Sequence, residues 1–313
     1  MKTLPLFYYP TTWVWVDDDQ TLLTAMTRVF NKTNAVLPFY SASECLAYFK
    51  QYQSPLIRHG FLRNDPGGEH YRLLQSVPLN FDSRTIVNLL QDSKRHEEIT
   101  AMVIDYNMPG INGVELARLT QPWLIQKILL TGTAYREDQV TSGFNHQLIS
   151  RFVQKSEPEM LNKLTTYLHK LSYGYFQAIT SLFVSYLEVD EKLALSDPTF
   201  IDFFELYCQS HDIKEYYLIE KQGSFLCIDS QGARSCLVVH TQRSIDAWLS
   251  INGNENSLSE DELSAVKGYK KIPFFGIHHS ASQIDLQQKQ VCLYEPHTLK
   301  GRQTYFWIVT KNF

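Results

Sequence analysis

The most constraining feature of the sequence is a pair of apolar segments in its N-terminal half that run directly into acidic residues. Residues 13–16 lead into Asp17–Asp19, and residues 101–104 lead into Asp105, which is followed by Asn-Met-Pro-Gly. A continuous apolar run is typical of a strand covered on both faces, and Pro-Gly ends a strand. The acidic groups are therefore predicted at the carboxyl ends of buried strands, the edge of an open α/β sheet where ligands bind.

Helix-like and strand-like segments alternate along this half of the chain. Between residues 22 and 30 apolar side chains recur every three or four positions, which indicates an amphipathic helix on a sheet. Residues 41–49 indicate a second helix, with Ser41 or Ser43 available as its cap. Three further segments have the apolar character of strands: 35–40, 126–131 and 151–155. Strands alternating with helices favour an α/β fold with a parallel, doubly wound sheet.

Polar residues at the ends of the predicted strands are expected to meet in one crevice: Asp17, Asp18, Asp105, Thr131 and Lys155. Three carboxylates repel each other unless a cation joins them, and Mg²⁺ with its oxygen ligands fits that need. One carboxylate can then attack a phosphoryl group whose oxygens are held by the other groups. Two alternatives stay open: Asp105 as a turn-forming residue, and an acidic cluster with no catalytic purpose.

The order of these residues resembles the receiver domain of two-component response regulators, over residues 11–172. The matching positions are the acidic pair after the first strand, Asp105 with "NMPGINGVEL" after the third, Thr131 after the fourth and Lys155 after the fifth. The resemblance implies a (βα)5 flavodoxin-like fold, Mg²⁺ as cofactor, and a sensor histidine kinase or phosphotransfer protein as partner.

The resemblance also implies roles for individual residues. Asp105 would be the phospho-acceptor, and Thr131 and Lys155 would contact the phosphoryl oxygens. Phe152 would be the aromatic residue that swings inward with Thr131, although the sequence equally allows a plain core phenylalanine. The implied metal ligands are Asp17, Asp18, Asp105 and the backbone carbonyl of Asn107.

Two features depart from the receiver pattern. Receivers usually follow the lysine with proline, often in a cis bond, whereas Ser156 follows Lys155, and a cis bond before serine would cost roughly 2.5 to 4 kcal/mol. We therefore expect a trans bond there. The second departure is an insertion at about 51–98, in which the segment after Asp82 and Ser83 predicts one capped helix. The insertion is interpreted either as a partner-docking surface or as an extension of the second helix.

An apolar repeat marks the join between the two halves of the chain. From Leu161 to Leu182 its spacing alternates strictly between three and four residues, as in a coiled-coil seam, although Gly174 lies inside it. A dimer seam is predicted, with a linker helix at 173–190. The alternative for its first part is a last receiver helix packed on its own sheet, with a second helix from about residue 173. The seam residues are Leu164, Leu168, Leu171, Tyr175 and Leu182.

The second half, residues 191–313, predicts an α+β output domain with an antiparallel sheet, since helices and short strands with Gly-containing turns follow one another. Residues 175–313 contain 12 Lys and Arg against 17 Asp and Glu, a net charge of −5, so DNA binding is not expected. His278 and His279 lack a third ligand and favour a loop over a metal site. Most aromatic residues of this half are interpreted as core, although the sheet could enclose a small-ligand pocket.

Composition and charge limit the partners and the cell compartment that we expect for the protein. The net charge of −4 gives no basic surface for nucleic acid or anionic lipid, and no apolar run approaches the roughly 20 residues that span a bilayer. The five cysteines form no Cys-x-x-Cys pair, and the N-terminal segment lacks an apolar signal core, so a reducing cytoplasm is expected. Cys227 and Cys236 flank a predicted hairpin and are interpreted as free, buried thiols.

These observations predict a regulator that is phosphorylated on Asp105, dimerises on phosphorylation and acts through an output domain that does not bind DNA. An aromatic-rich output behind a receiver with a long insertion also resembles, more weakly, the quorum-sensing response regulators of Legionella. The alternative hypothesis is an output domain that is an enzyme or a nucleotide- or ligand-binding module gated by the receiver. The sequence of this half contains no catalytic motif that decides whether it is an enzyme.

Overall fold

The computed structural model describes residues 3–32, 34–61, 63–64, 71–72, 83–132, 137–184, 193–220, 223–252, 258–274 and 292–311. The chain forms two compact units. The first, here called the parallel unit, comprises Pro10–Val77 and Asn88–Ala178. The second, the antiparallel unit, comprises Met1–Tyr9, Pro78–Val87 and Ile179–Phe313.

The strands of the described residues are, in chain order, β1 (Phe7–Tyr8), β2 (Thr12–Val16), β3 (Ala35–Phe39), β4 (Arg63–Asn64), β5 (Tyr71–Arg72), β6 (Ile99–Asp105), β7 (Gln126–Thr131), β8 (Arg151–Gln154), β9 (Ile213–Glu220), β10 (Ser224–Asp229), β11 (Arg234–Thr241), β12 (Ile272–Phe274), β13 (Cys292–Tyr294), β14 (His297–Lys300) and β15 (Thr304–Thr310).

The α-helices are α1 (Gln20–Phe30), α2 (Ala42–Phe49), α3 (Pro55–Arg58), α4 (Ser83–Gln91), α5 (Gly113–Leu119), α6 (Glu137–Asn145), α7 (Met160–Val184), α8 (Leu193–Ser196), α9 (Pro198–Ser210), α10 (Gln242–Asn252) and α11 (Glu260–Lys267). A 3₁₀ turn lies at Arg95–Glu97.

The parallel unit is built on a five-stranded sheet in the order β3-β2-β6-β7-β8. All four neighbouring pairs are parallel. Counting only these five strands, the order along the chain is 2-1-3-4-5, which is the flavodoxin-like arrangement. The predicted doubly wound fold is therefore confirmed.

Both faces of this sheet are covered, which is why its strands are almost uniformly apolar. All seven residues of β6 are buried. Because successive side chains of a strand point to opposite faces, alternate residues enter two different cores. One core contains Val14, Val16, Met102, Ile104 and Leu129. The other contains Trp13, Trp15, Ala101, Val103, Ile128 and Leu130.

Side-chain caps fix the starts of the helices that leave the sheet. Asp19 accepts hydrogen bonds from the N–H groups of the first turn of α1. Ser41 accepts from Glu44 N at the start of α2, so the cap is Ser41 and not Ser43. Asn112 accepts from Glu115 N at the start of α5. Each cap satisfies backbone donors that a helix start leaves free and places the preceding loop.

The insertion contains the predicted helix, α4, at Ser83–Gln91. The predicted cap at Asp82 lies outside the described residues. The turn-rich stretch before it includes a short antiparallel pair, β4 with β5, which the sequence analysis did not predict. Helix α3 is a further short element, with Ser54 as its cap.

Helix α7 runs without a break from Met160 to Val184, through Gly174, so no second helix starts near residue 173. Leu164 and Leu168 are fully buried in the core beneath β2, β6 and β7, and Leu171 packs against that core. The predicted dimer seam is therefore wrong at Leu164, Leu168 and Tyr175, because all three side chains are buried within the unit, where Tyr175 Oη also donates to Glu98 Oε1 at 2.6 Å. A three-four spacing suits packing on the chain's own sheet as well as on a second helix. The side chain of Leu182 lies outside the described part.

The antiparallel unit confirms the predicted α+β class. Its six-stranded sheet has the order β1-β9-β10-β11-β15-β14 with antiparallel pairing throughout. The aromatic residues that the sequence assigned to the core include Tyr216, Tyr217 and Phe274, all buried. Trp248 and Tyr269 pack against the core of this unit. Phe275 lies outside the described residues.

The N-terminal segment belongs to this sheet and was not predicted as a strand. Phe7 and Tyr8 pair with Tyr217 and Tyr216 of β9. Leu6 N donates to Thr180 Oγ1 at 2.9 Å, and four apolar side chains are buried: Leu4, Leu6, Phe7 and Tyr9. The receiver prediction, which began at residue 11, thus left out a segment that completes the other unit.

Candidate functional site

The site is formed by the carboxyl ends of adjacent parallel strands. Val16, the last residue of β2, lies beside Ile104 of β6, so Asp17 and Asp105 follow at the same level of the sheet. Asp105 in turn lies beside Leu130 of β7, directly before Thr131. The sheet register alone therefore brings these residues to one edge.

Lys155 joins the two buried carboxylates. Its Nζ lies 2.9 Å from Asp17 Oδ2 and 2.9 Å from Asp105 Oδ1. The backbone N–H of Lys155 donates to Thr131 O at 2.7 Å, which continues the β7–β8 ladder past the end of β8. Lys155 is one residue beyond the strand end at Gln154, where its side chain reaches back across the sheet edge. The Lys155 ammonium is therefore shared by two carboxylates, one directly after β2 and one at the end of β6.

Backbone N–H groups orient the remaining carboxylate oxygens. Asp19 N donates to Asp17 Oδ1 at 2.9 Å, and Asn107 N donates to Asp105 Oδ2 at 3.1 Å. Both bonds join a carboxylate to the N–H two residues later, as in an Asx turn. The turns that stop β2 and β6 thus also hold the acidic side chains in place.

Thr131 is fully buried, and its Oγ1 has no hydrogen-bond partner among the described residues. Phe152, on β8 beside Leu129, is partly buried against the core that contains Ile104. Its assignment as a switch residue remains a prediction. The Lys155–Ser156 bond is trans, as the replacement of proline by serine led us to expect.

Burial and like charges set the protonation of the site. Burial raises the pKa of Asp105, and Asp17 and Asp18 raise it further, while Lys155 opposes them. Burial disfavours the ammonium of Lys155, but its bonds to Asp17 and Asp105 outweigh this, and its pKa is raised. Lys155 therefore stays protonated. The positive charge near Asp105 does not offset its burial and its two acidic neighbours.

The donor set fits a hard divalent ion. One carboxylate oxygen each from Asp17, Asp18 and Asp105 lie within 4.8 Å of one another. Three carboxylates and Lys155 carry a net charge of −2, which a divalent cation would balance. Oxygen ligands of this kind are those that Mg²⁺ prefers. Asp18 is exposed, so an ion there would keep contact with water, and the role of the Asn107 carbonyl remains a prediction.

Gly113 supports the site and was missed by the sequence analysis. A Cβ at this position would lie 2.3 Å from Asp105 O, a distance that only glycine avoids. Its N–H donates to Tyr106 O at 3.0 Å. The backbone after Asp105 therefore turns back so tightly that α5 starts against the end of β6. The sequence signal was the glycine that follows Asn112 at the helix start.

Other predicted features fall outside this site. All five cysteines are free, with Cys227 and Cys236 buried as expected. His278 and His279 lie outside the described residues. Among the described helices, none combines the length and apolar character needed to cross a bilayer.

Comparison with solved structures gives a likeness over the full length of the chain. No family model matches the chain, and no curated protein does. The response regulator LqsR of Legionella pneumophila has a TM-score of 0.74 and 28% sequence identity, covering 100% of this chain and 90% of that one.

Weaker likenesses cover about half of the chain. A response regulator receiver protein from Pseudomonas putida shares 14% identity over 51% of this chain and 97% of its own, with a TM-score of 0.34. An adenylate cyclase from Rhodopirellula baltica shares 19% identity over 55% of this chain and 93% of its own, with a TM-score of 0.36. Neither score is high enough to carry an argument.

The parallel unit has the strand order and strand-end residues expected of a receiver, and the likeness to LqsR extends over both units. Over its whole length the chain is similar to a two-component response regulator with a CheY-like receiver domain.

Proposed function

We propose that the chain is phosphorylated on Asp105 by a histidine kinase or a phosphotransfer protein, and that this modification controls its output. The observation that carries the proposal is the contact of Lys155 with both Asp17 and Asp105, at the sheet edge where the Thr131 hydroxyl has no partner among the described residues. A cation and a spare donor at a buried carboxylate are the groups that a transferred phosphoryl group needs.

The reaction is a transfer between two side chains. One carboxylate oxygen of Asp105 attacks the phosphorus of a phosphohistidine, the new O–P bond forms, and the N–P bond breaks. The electron pair of that bond stays on the imidazole nitrogen, and the ring takes up one proton from water as it leaves, so the net result is an acyl phosphate and a neutral histidine. Asn107 N and Lys155 Nζ hold the Asp105 carboxylate in position for this attack.

Mg²⁺, when bound by Asp17, Asp18 and Asp105, would neutralise charge on the phosphoryl oxygens. The contribution of the chain itself is to place Lys155 Nζ between the two buried aspartates. Thr131 supplies a buried hydroxyl at the neighbouring strand end, and no described residue takes up its hydrogen bond. The chain therefore offers two donors to an added anion without first breaking a hydrogen bond of Thr131.

Phosphorylation adds a charge of about −1.5 to −2 by analogy with other phosphorylated side chains. We propose that this charge draws Lys155 and Thr131 toward Asp105 and that Phe152 moves with Thr131. The domain would then shift between two pre-existing states, since the added group binds one of them better. Dimerisation on phosphorylation is part of the proposal, but its surface does not include Leu164, Leu168 or Tyr175, which are buried.

The output is proposed to be independent of DNA, because the second half of the sequence carries an excess of acidic residues. A role in quorum-sensing signalling is proposed from the resemblance to Legionella regulators. No described feature of the antiparallel unit favours the alternative of a receiver-gated enzyme.

The test is to incubate the full chain with acetyl phosphate and Mg²⁺ and to measure its intact mass. The wild type is expected to gain one phosphoryl group, and Asp105→Asn is expected to gain none. Asp202→Asn, which changes an exposed aspartate on α9, is the matched control and should label normally. Equal labelling of the wild type and Asp105→Asn would show that the phospho-acceptor has been misassigned.

A further inference from the structure

The short connection between β8 and α7 carries Lys155, the residue that contacts both buried aspartates. The backbone N–H of Glu157 donates to Gln154 O at 3.2 Å, so these residues close a tight turn with Lys155 and Ser156 at its centre. Ser156 is exposed and stands where receivers usually have proline. A proline ring would fix one backbone angle of the turn, whereas serine leaves that angle variable. The direction in which Lys155 leaves β8 therefore depends on other contacts of the turn.

The side chain of Glu157 supplies such a contact. Its Oε1 accepts from Gln154 N at 3.2 Å, so both backbone groups of Gln154 are bonded to Glu157. Strand β8 lies at the edge of the five-stranded sheet, and the next N–H along it, that of Lys155, points toward β7. Gln154 N therefore points away from the sheet, and the Glu157 carboxylate accepts the bond that a neighbouring strand would accept.

The other carboxylate oxygen of Glu157 contacts Lys163 Nζ on α7. The bonds from Lys163 and from Gln154 N lower the pKa of Glu157, so the group is an ionised acceptor at neutral pH. The side chains of Lys163 and Glu157 are 47% and 24% exposed, and an ion pair in such contact with water contributes little by itself. The contact that holds the turn is therefore the hydrogen bond from Gln154 N.

Lys155 lies between this hydrogen bond and the acidic site. Its N–H donates to Thr131 O at 2.7 Å, and its Nζ lies 2.9 Å from an oxygen of Asp17 and from an oxygen of Asp105. A lysine side chain is long and has many rotamers, so it keeps two such contacts at once only if its backbone is held in place. The turn that ends at Glu157 fixes that backbone.

We propose that Glu157 is a positioning residue for Lys155. Its carboxylate closes the turn after β8 on Gln154 N and thereby holds Lys155 Nζ between the two buried aspartates. This role rests on the proposed phosphorylation of Asp105, because Lys155 serves that reaction by orienting the Asp105 carboxylate. Glu157 acts through Lys155 and takes no direct part in the transfer.

The test measures the rate at which acetyl phosphate labels the full chain at saturating Mg²⁺. Glu157→Ala is expected to slow the labelling of Asp105 roughly tenfold, since a displaced Lys155 no longer orients the carboxylate. Glu157→Gln keeps an oxygen that can accept from Gln154 N and should label at close to the wild-type rate. Glu159→Ala is the matched control, because Glu159 is an exposed acid of the same connection whose side chain makes no hydrogen bond in the described part of the chain.

A double variant separates positioning from a general loss of stability. In a Lys155→Gln background, Glu157→Ala should change the labelling rate less than about twofold, because no ammonium is left to position. A further large slowing in that background would mean that Glu157 acts on the fold and not through Lys155, and it would overturn the proposal. Wild-type labelling by Glu157→Ala, or equally slow labelling by Glu157→Gln, would overturn it too.

Amide hydrogen exchange, followed by NMR without a phosphodonor, tests the role of Glu157 independently of the reaction. Glu157→Ala should raise the exchange rate of the Lys155 amide roughly tenfold and leave the amides of β6 unchanged. If the wild type is not labelled at all, the proposed phosphorylation is wrong, and the exchange rate still decides whether Glu157 holds Lys155. Unchanged exchange at Lys155 would overturn the proposal in either case.

Discussion

The two units use buried carboxylates in opposite ways. In the parallel unit Asp17 and Asp105 share one ammonium, that of Lys155. In the antiparallel unit Asp197 is 1% exposed and accepts from three neutral donors: Thr199 N at 3.0 Å, Arg302 N at 2.7 Å and Tyr305 Oη at 3.0 Å. The two aspartates of the parallel unit have one cation between them, whereas both carboxylate oxygens of Asp197 accept hydrogen bonds.

Ser224 of the antiparallel unit follows the saturated pattern. Its hydroxyl donates to Glu220 Oε2 at 2.7 Å and accepts from Val239 N at 2.9 Å. The hydroxyl of Thr131, by contrast, has no partner among the described residues. A buried polar group whose hydrogen bonds are all made stabilises the fold. A buried polar group with unmade hydrogen bonds marks a place where an added ligand or charge can bind to the unused donors and acceptors.

The largest effect is expected for Asp197→Ala, which tests the saturated side of the comparison. The substitution would remove the acceptor of one buried donor, Tyr305 Oη, and of two part-buried backbone N–H groups. At about 1 to 3 kcal/mol for the buried donor and less for the other two, we expect a loss of roughly 3 kcal/mol in the stability of the antiparallel unit. Hydrogen exchange should show lost protection in α9 and β15 and unchanged protection in β6. Asp202→Ala, on the exposed face of α9, is the control. Unchanged exchange at β15 would show that the three bonds contribute little.

A smaller effect of opposite sign is expected for Lys127→Met, which tests a buried charge near the start of β7, away from the acidic site around Asp105. The ammonium of Lys127 donates to Ile125 O at 3.1 Å, and burial lowers its pKa to about 8 from an ordinary value of 10.5. A depressed lysine pKa means that stability present above pH 10.5 is lost as the pH falls toward about 8. The wild type therefore carries this deficit at pH 7.

Lys127→Met is accordingly expected to raise the free energy of unfolding by about 2 kcal/mol at pH 7, with a gain that shrinks as the pH rises toward 10. Urea unfolding at pH 7 and pH 9.5 measures the difference. Lys170→Met, on an exposed position of α7, should show no such pH dependence. A gain that is the same at both pH values would mean that the amine is charged in the folded state throughout.

The smallest effect is expected for Asp105→Asn, at the site where the carboxylates outnumber the cations. Because burial and the neighbouring aspartates raise the pKa of Asp105, its charge disfavours the folded state, and Asp105→Asn should add about 1 kcal/mol of stability in Mg²⁺-free buffer. Asp92→Asn provides a contrast. Although partial burial opposes it, bonds from His59 and Lys94 N and the charge of Arg58 lower the pKa of Asp92, so its neutralisation should reduce stability. Thermal unfolding of both variants measures the two effects. Melting temperatures that shifted in the same direction would refute the comparison.

Much of the parallel unit could be predicted from the sequence because its signals are local. An apolar run that ends in an acidic residue indicates both a buried strand and a site at its end, and Ser41 indicates the start of α2. The alternation of strands and helices then indicates a parallel sheet, and its strand order is what the resemblance to receiver domains implies. The pairing of Lys155 with both aspartates was not predictable in detail, since it depends on how the ends of β2, β6 and β8 lie relative to one another in the folded sheet.

The remaining features depend on distant parts of the chain. The spacing of Leu164 and Leu168 is the same for a helix on its own sheet and for a dimer seam, and only the structure distinguishes them. Gly113 was visible as a glycine, but its contact with Asp105 O needed the fold. The buried Glu98 looked like one acidic residue among others, because its hydrogen-bond donors Ser54 and Tyr175 lie far from it in sequence.

The pairing of Phe7 with Tyr217 has a consequence for biosynthesis, because about 210 residues separate the two strands. At translation rates of roughly 5 to 20 residues per second, the N-terminal segment waits about 10 to 40 s before its partner strand has been made. Throughout that interval Leu4, Leu6, Phe7 and Tyr9, buried in the finished fold, have no sheet to join on the nascent chain. The segment is thus synthesised before the rest of its sheet and is among the last parts of that sheet to reach its native place, and until then it is a ready substrate for chaperones.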